Sequence, residues 1–148
     1  MLDRSAVITA SLRLHKASKN HRAAQHIFEY GDYEAANDRA FFCMFHAARA
    51  LLAYENIAYA ISDGPKKTDT IIQEFHELYV KQRFHDPRLT ETFMDARKIR
   101  NEELYDRSFT SGKEITEQNI RNAGYFLETA RDISKWRVAF EYEQPGTD

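Results

Sequence analysis

The sequence predicts an all-α protein, an up-and-down bundle of four to five helices. Apolar residues recur at helical spacing along most of the chain, and no segment of convincing length alternates as a strand does. Glycine and proline, at five and three residues, interrupt this pattern at few points. A chain of 148 residues can bury a core, so we expect one domain over residues 1–148 with a frayed tail at 144–148.

The first helix is predicted from about Ser5 to Tyr30. Gly31 suits the end of a helix because glycine readily adopts the left-handed conformation, and Asp32 suits the N-cap of the next helix. The residues of the first helix that we expect to face the core are Ala6, Leu12, Ala17, Ala24 and Ile27.

The second helix, predicted from Tyr33 to about Asn56, carries two apolar stripes on different sides. A surface helix needs only one such stripe, so two stripes predict a central helix with neighbours on both sides. The first stripe consists of Tyr33, Ala36, Ala40, Cys43, Ala47, Leu51 and Tyr54, and the second of Phe41, Phe45, Ala48 and Leu52.

A largely polar stripe lies between these two apolar stripes. It occupies roughly a third of the helix circumference or less. Its members are Asp38, Arg39, Phe42, His46 and Arg49.

A third, shorter helix follows a turn signal at residues 62–65. Its apolar positions are Ile71, Ile72, Phe75, Leu78 and Tyr79.

The fourth helix is predicted to begin at Asp86, as N-cap, with Pro87 as the first helical residue, and to end near Asp106. A polar loop is expected over residues 108–114. The fifth helix then begins with Thr116 as N-cap and runs to about Tyr142, and a hydrophobic staple joins the apolar residues on either side of that cap, Ile115 and Ile120.

Composition narrows the classes of function. The formal net charge of −2 gives no strongly basic field, although a local basic patch is compatible with it. The one cysteine, Cys43, is expected to be a buried apolar residue and provides neither a disulfide nor a zinc cluster. We find no signal peptide, no apolar run of membrane-spanning length, no metal-ligand set and no phosphate-binding glycine loop. We therefore expect a cytoplasmic protein without membrane contact, metal or cofactor.

Residues 31–52 read Gly-Asp-Tyr-x-x-Ala-x-x-Arg-Ala-Phe-Phe-x-Met-Phe-His-Ala-Ala-Arg-Ala-Leu-Leu. This wording resembles the second helix of HEPN domains, in particular the small single-domain prokaryotic branch. The resemblance continues with Lys66-Lys67-Thr68. It closes at residues 100–105, where Arg-Asn-Glu-Glu-Leu-Tyr is similar to the family's Arg-Asn-x-x-x-Tyr segment.

The resemblance implies a HEPN-like bundle and, for many members, metal-independent endoribonuclease activity. The family signature is an arginine, four to six residues, and then a histidine. Histidine transfers protons near neutral pH, and arginine neutralises phosphate oxygens.

Arg100 matches the arginine, but Tyr105 stands where the histidine is expected. A phenol with a pKa near 10 is a poor substitute. The family's next tyrosine falls on Arg107, and Thr68 stands where relatives often carry histidine.

Arg100 has two interpretations. It lies beside the core-facing stripe of its helix, so it is either paired with an acid inside the bundle or in contact with a phosphate or nucleotide. The resemblance makes Asp38 the expected internal partner. If Arg100 instead faces an anion, we expect a pocket beside it that contains Asp38 or His46 of the second helix and Asn101 and Tyr105 of its own helix. Lys66 and Lys67 could also meet an anion, although a solvated turn is the simpler interpretation.

Arg39 and His46 also satisfy the arginine–histidine spacing, and seven residues place both on one side of the second helix. The pattern is short, so a structural pair at a helix contact or dimer seam is favoured over a catalytic pair. Together with the family resemblance, the polar stripe that contains them predicts a two-fold symmetric homodimer.

Three hypotheses follow. The first is a HEPN-like module with a degenerate ribonuclease motif, which binds nucleotide, RNA or a nucleotidyltransferase partner in a toxin–antitoxin or defence setting. The second is an active metal-independent endoribonuclease that uses Arg100 with His46 or Tyr105. The third is a purely structural helical adaptor.

Overall fold

Helices account for nearly all of the structure. The computed structural model describes residues 2–55, 68–84, 86–106 and 111–142. Within these ranges, β structure is confined to one isolated bridge between Leu2 and Tyr142, so the predicted all-α bundle is confirmed. The elements in chain order are α1 (Arg4–Tyr30), α2 (Tyr33–Leu52), α3 (Thr68–Phe75), a π-helical segment (His76–Phe84), α4 (Pro87–Tyr105) and α5 (Lys113–Glu141).

Two residues reverse the chain between α1 and α2. Gly31 has φ +96°, which glycine adopts without steric cost, and its N–H donates to the carbonyls of Ile27 and Phe28. Asp32 is the N-cap of α2, as predicted, and its Oδ1 accepts a hydrogen bond of 3.1 Å from the Ala35 N–H. This tight connection lays α2 directly against α1.

The central position predicted for α2 is confirmed. This helix contacts α1, α3, α4 and α5. The positions of both apolar stripes are buried except at Tyr33 and Phe45, which are half-buried. The buried residues of α1 are mostly alanines, and small side chains on both helices permit close approach of the two backbones.

A cluster of aromatic rings joins the remaining helices to α2. Phe93 of α4 lies 6.0 Å from Phe41 of α2 and 5.4 Å from Phe126 of α5, measured between ring centroids. Phe75 of α3 completes the cluster, with its centroid 5.1 Å from that of Phe126. Such contacts between buried rings contribute burial and a preferred geometry. The cluster therefore sets where α4, which carries Arg100, lies against α2.

Three expectations about the core and the helix ends were wrong. Leu12 is 61% exposed, because it lies about 200° around α1 from the fully buried Ala10. The α2 helix ends at Leu52, and Ala53–Glu55 form a turn. The third predicted helix is α-helical only to Phe75.

The π-helical segment has a packing explanation. Phe75, Tyr79 and Phe84 stack with ring centroids 5.7 Å and 6.1 Å apart. Their spacings of four and five residues match the wide turn of an i→i+5 helix better than the 3.6-residue turn of an α-helix. The fully buried Tyr79 also donates a hydrogen bond of 2.6 Å to the carbonyl of Leu51.

The predicted N-cap of the last helix was also wrong. Helix α5 begins four residues earlier, with Gly112 as N-cap, and Thr116 lies inside its first turns. Thr116 is fully buried, and its hydroxyl donates to the Gly112 carbonyl at 2.9 Å. Ile115 is 46% exposed and does not form the predicted staple.

Several predictions fall on parts of the chain that lie outside the described residues. They concern the turn at 62–65, the lysines at 66–67, Arg107 with the following loop to residue 110, and the tail at 144–148.

A buried amide connects three helices. The side-chain Nδ2 of Asn37 in α2 donates to Glu103 Oε1 of α4 at 2.9 Å and to Thr116 Oγ1 of α5 at 3.0 Å. Its Oδ1 accepts a hydrogen bond of 3.0 Å from Asn119 of α5. Asn37 has no exposed surface, and its amide is fully used, so this network holds α4 and α5 in register on α2.

We expect Asn37→Ala to lower the free energy of unfolding by about 2–4 kcal/mol, because it removes three hydrogen bonds to buried or half-buried partners and leaves a cavity in the core. Urea denaturation followed by circular dichroism measures this change. The matched control is Asn122→Ala on α5, a half-buried residue whose hydrogen bond with Gln118 is exposed to solvent, and it should stay within about 0.5 kcal/mol of wild type. Equal effects of the two substitutions would contradict the role assigned to the network.

Candidate functional site

Arg100 and Asp38 form an ion pair between α4 and α2. The Nε atom of Arg100 donates to Asp38 Oδ1 at 2.8 Å, and the two side chains are 29% and 43% exposed. The guanidinium carbon lies 5.1 Å from the ring centroids of both Phe41 and Phe42. Arg100 is therefore held by a carboxylate on one side and by two aromatic rings on another.

A groove of about 380 Å³ opens beside this pair. Four of its lining side chains are carboxylates, and Arg100 is the one cation among the described lining residues. Such a lining gives a negative potential, which disfavours a phosphate ligand within a single chain. The groove is lined by Asp32, Glu34, Ala35, Asp38, Arg100, Glu103 and Leu104.

Glu103 reports the electrostatics of this groove. Burial raises its pKa, and the nearby carboxylates of Glu34 and Asp38 raise it further. Hydrogen bonds from Ser111 and from Asn37 act in the opposite direction. Burial and the neighbouring carboxylates thus outweigh the two hydrogen-bond donors at Glu103.

His46 lies further along α2, against the rings of Phe42 and Phe45, with centroids 6.3 Å and 5.9 Å away. Burial, the largest cause, and the positive charges of Lys16, Arg49 and Arg13 together lower its pKa to about 4. Its Nδ1 atom is buried and has no hydrogen-bond partner among the described residues. At neutral pH this imidazole is uncharged and a weak proton acceptor.

The other predicted site residues lie apart from Arg100. Arg39 is exposed and donates to Asn20 Oδ1 of α1 at 3.3 Å. Asn101 lines a different groove, of about 660 Å³, together with His76 and Thr90. Tyr105 is the last residue of α4 and is 81% exposed.

The structure thus brings Arg100 and Asp38 together. It places Arg39, Asn101 and Tyr105 elsewhere, while the half-buried His46 shares with Arg100 only the Phe42 ring. Arg49, the last member of the polar stripe, is buried, and its guanidinium lies 5.6 Å from the Phe45 ring centroid.

Sequence reasoning missed Asn37 and Glu103, which support the ion pair from one side. Glu103 lies three residues after Arg100 on α4, and Asn37 directly precedes Asp38 on α2. Residues three apart on a helix are neighbours, so the two helices meet through two adjacent polar contacts. That spacing was the available signal.

Among the described residues, the other reactive groups do not form a second chemical centre. Cys43 is fully buried, and burial raises the pKa of its thiol to about 12, which makes it inert. In the described part of the chain, no group of three or more His, Cys, Asp or Glu side chains has metal-binding geometry. No helix within the described ranges is long and apolar enough to cross a membrane.

The fold and the ion pair define an all-helical bundle with an arginine of the fourth helix held against the second. Residues 10–133 match the HEPN domain family. A protein from Methanocaldococcus jannaschii named "Putative toxin MJ0142" is 25% identical over 118 residues, which cover 80% of this chain and 76% of that protein. The chain belongs to the HEPN domain family.

The low pKa of His46 predicts a stability that depends on pH. The pKa is about 4 in the folded chain and about 6.5 when unfolded, so the unfolded state binds more protons between these values. Stability should therefore fall as the pH is lowered from 6.5 through 4.

We expect the wild type to lose about 1–2 kcal/mol more than His46→Gln between pH 7 and pH 4, after discounting for partial solvent screening. Urea denaturation at the two pH values measures the difference. Identical losses in both proteins would show that His46 is not held in its neutral form.

Proposed function

We propose that this protein is a toxin-type HEPN module that acts by binding RNA, a nucleotide or a nucleotidyltransferase partner, with a degenerate ribonuclease motif. The main support for this proposal is the environment of Arg100. Asp38 binds its guanidinium, and the groove beside it is lined by four carboxylates. No histidine is among the described residues that line this groove. The toxin-type assignment draws on the family and on the name of the archaeal relative.

Cleavage of RNA through its 2′-hydroxyl needs two groups that this site lacks in a single chain. One is a side chain that titrates near neutral pH, and Tyr105, in the position of the family's histidine, is an exposed phenol. The other is an arginine free to bind phosphate, whereas the Nε of Arg100 is engaged by a carboxylate. Both features favour a binding role over hydrolysis.

An active endoribonuclease is the second candidate, and one observation favours it. Arg100 and His46 both contact Phe42, with the guanidinium 5.1 Å and the imidazole 6.3 Å from the ring centroid. The buried Nδ1 of His46 has no partner among the described residues. A two-fold dimer on this face would bring two such arginine–histidine sets into one cleft.

The cellular setting that we propose follows from the same assignment. A toxin-type HEPN protein would work in the cytoplasm beside a nucleotidyltransferase antitoxin. The acidic groove around Arg100 would suit a basic surface of that partner.

The degenerate motif predicts little or no chelator-resistant cleavage of a mixed RNA by the wild type. Tyr105→His should raise cleavage roughly tenfold or more, because it supplies a group with a pKa near neutrality. Adding Arg100→Ala to that variant should abolish the gain. Gel analysis of labelled RNA in EDTA measures all three proteins, with thermal melting as the control for folding.

Strong cleavage by the wild type that Arg100→Ala leaves unchanged would contradict the proposal of a degenerate ribonuclease motif. Strong cleavage that both Arg100→Ala and His46→Gln abolish would instead establish the second candidate.

The proposed homodimer gives a separate prediction. Light scattering at tens of micromolar should give the wild type twice the mass of one chain. Arg39→Glu should shift the mass toward one chain, because the exposed residue lies in the polar stripe and a two-fold axis doubles any charge conflict. Lys81→Glu, on the exposed side of the π-helical segment, is the matched control and should stay dimeric. A wild-type mass of one chain would count against the dimer.

A further inference from the structure

We infer that the groove between α1 and α5 binds the phosphate backbone of single-stranded RNA. The inference deepens the proposed function and rests on it only for the choice of RNA as the ligand. It concerns a face of the bundle that none of the family's signature residues occupies.

The groove is formed by two antiparallel helices. The Leu2 N–H at the start of α1 donates to the Glu141 carbonyl at the end of α5 at 3.1 Å. Further along the pair, His21 Nε2 lies 3.2 Å from the Ile120 carbonyl. Between these points the helices enclose a groove of about 790 Å³, larger than the groove beside Arg100.

The groove is cationic, in contrast to the groove beside Arg100. Its lining includes Arg22 from α1 and Arg131 and Lys135 from α5, together with the imidazole of His15. Glu128 is the one carboxylate among the described lining residues, and it pairs with Arg131 at 2.7 Å. No described carboxylate forms an ion pair with Arg22 or Lys135. A lining with surplus positive charge attracts phosphates even though the whole chain carries a net charge of −2.

Hydroxyl groups lie among these cations. Ser11 and Ser18 of α1 line the groove, and Ser134 of α5 lines it while bonded to the Tyr54 hydroxyl at 2.5 Å. Serine hydroxyls donate to phosphate and sugar oxygens, which are the groups that sequence-independent binding uses. The groove thus contains both kinds of donor that a nucleic-acid backbone requires.

The length of the groove favours a chain of phosphates over a single one. Its lining on α1 extends from Val7 to Arg22, which at 1.5 Å per residue is about 22 Å. Since the helices are antiparallel, Lys135 lies toward the start of α1, and Arg22 lies at the other end. A mononucleotide cannot reach both cations, whereas an extended strand of several nucleotides tracks such a groove.

The test is fluorescence anisotropy with a labelled octauridylate and the full chain at about 50 mM salt. We expect Arg22→Gln with Lys135→Gln to weaken binding roughly tenfold or more. The slope of log K against log salt should become less steep by about 1.4, since each phosphate contact to a single strand contributes about 0.7. The control is Lys81→Gln with Lys113→Gln, which removes two exposed charges elsewhere and should leave binding unchanged.

A variant that binds more tightly serves as a further test, because unfolding can weaken binding but cannot strengthen it. Glu128→Gln removes the carboxylate that competes for Arg131, so octauridylate should bind at least twofold more tightly. ATP and inorganic phosphate, used as competitors, should each displace the octauridylate only at far higher concentrations.

The inference is overturned if the wild type does not bind, or if the groove double variant binds as well as the control. It is also overturned if Arg100→Gln alone abolishes binding, or if ATP, phosphate or an acidic peptide competes as well as unlabelled octauridylate. These readouts are independent of cleavage. Strong RNA cleavage by the wild type would contradict the proposed function. If the binding results were nevertheless as expected, the assignment of the α1–α5 groove as an RNA-binding surface would remain valid.

Discussion

The enclosure of α2 is the constraint on which the rest of the structure depends. Four helices contact α2, and alanines that are fully buried on both α1 and α2 bring these two helices close together. A polar residue on such a helix either finds a partner in the core or emerges where two neighbouring helices diverge. Asn37 does the first, with every amide group used, and Asp38 does the second, where it meets Arg100. The ion pair therefore lies where the packing of the core leaves an opening.

Charge is sorted between two seams of the same bundle. The α2–α4 seam concentrates carboxylates around one guanidinium, and the α1–α5 seam concentrates cations around one carboxylate. The small net charge of the chain conceals this separation. The family's signature arginine thus lies on the acidic seam, and the opposite seam is the one with a potential that attracts phosphate.

Features set by local chemistry were predictable from the sequence, and features set by distant contacts were not. The Gly31–Asp32 reversal and the two stripes of α2 depend on residues within a few turns, and both were predicted. Thr116 resembles an N-cap locally, but its burial against Asn37, 79 residues away, overrides that preference. The π-helical segment likewise depends on the stacked rings of Phe75, Tyr79 and Phe84 and on the hydrogen bond from Tyr79 to the Leu51 carbonyl, 28 residues away. Arg100 and Asp38 were named as a pair from the family resemblance. Glu103 was missed, although its position three residues after Arg100 on the same helix face was a signal that could have found it.

The bridge from Leu2 to Glu141 places both ends of the helical bundle at one pole, on the seam that also forms the cationic groove. A force applied between Leu2 and Glu141 would separate α1 from α5 progressively, starting at this pole. The contacts between the two helices would break one after another and not all at once. A strand bound along the groove would contact both helices and oppose their separation. A ligand bound in the groove would therefore raise the force needed to separate α1 from α5, beginning at the pole where Leu2 meets Glu141.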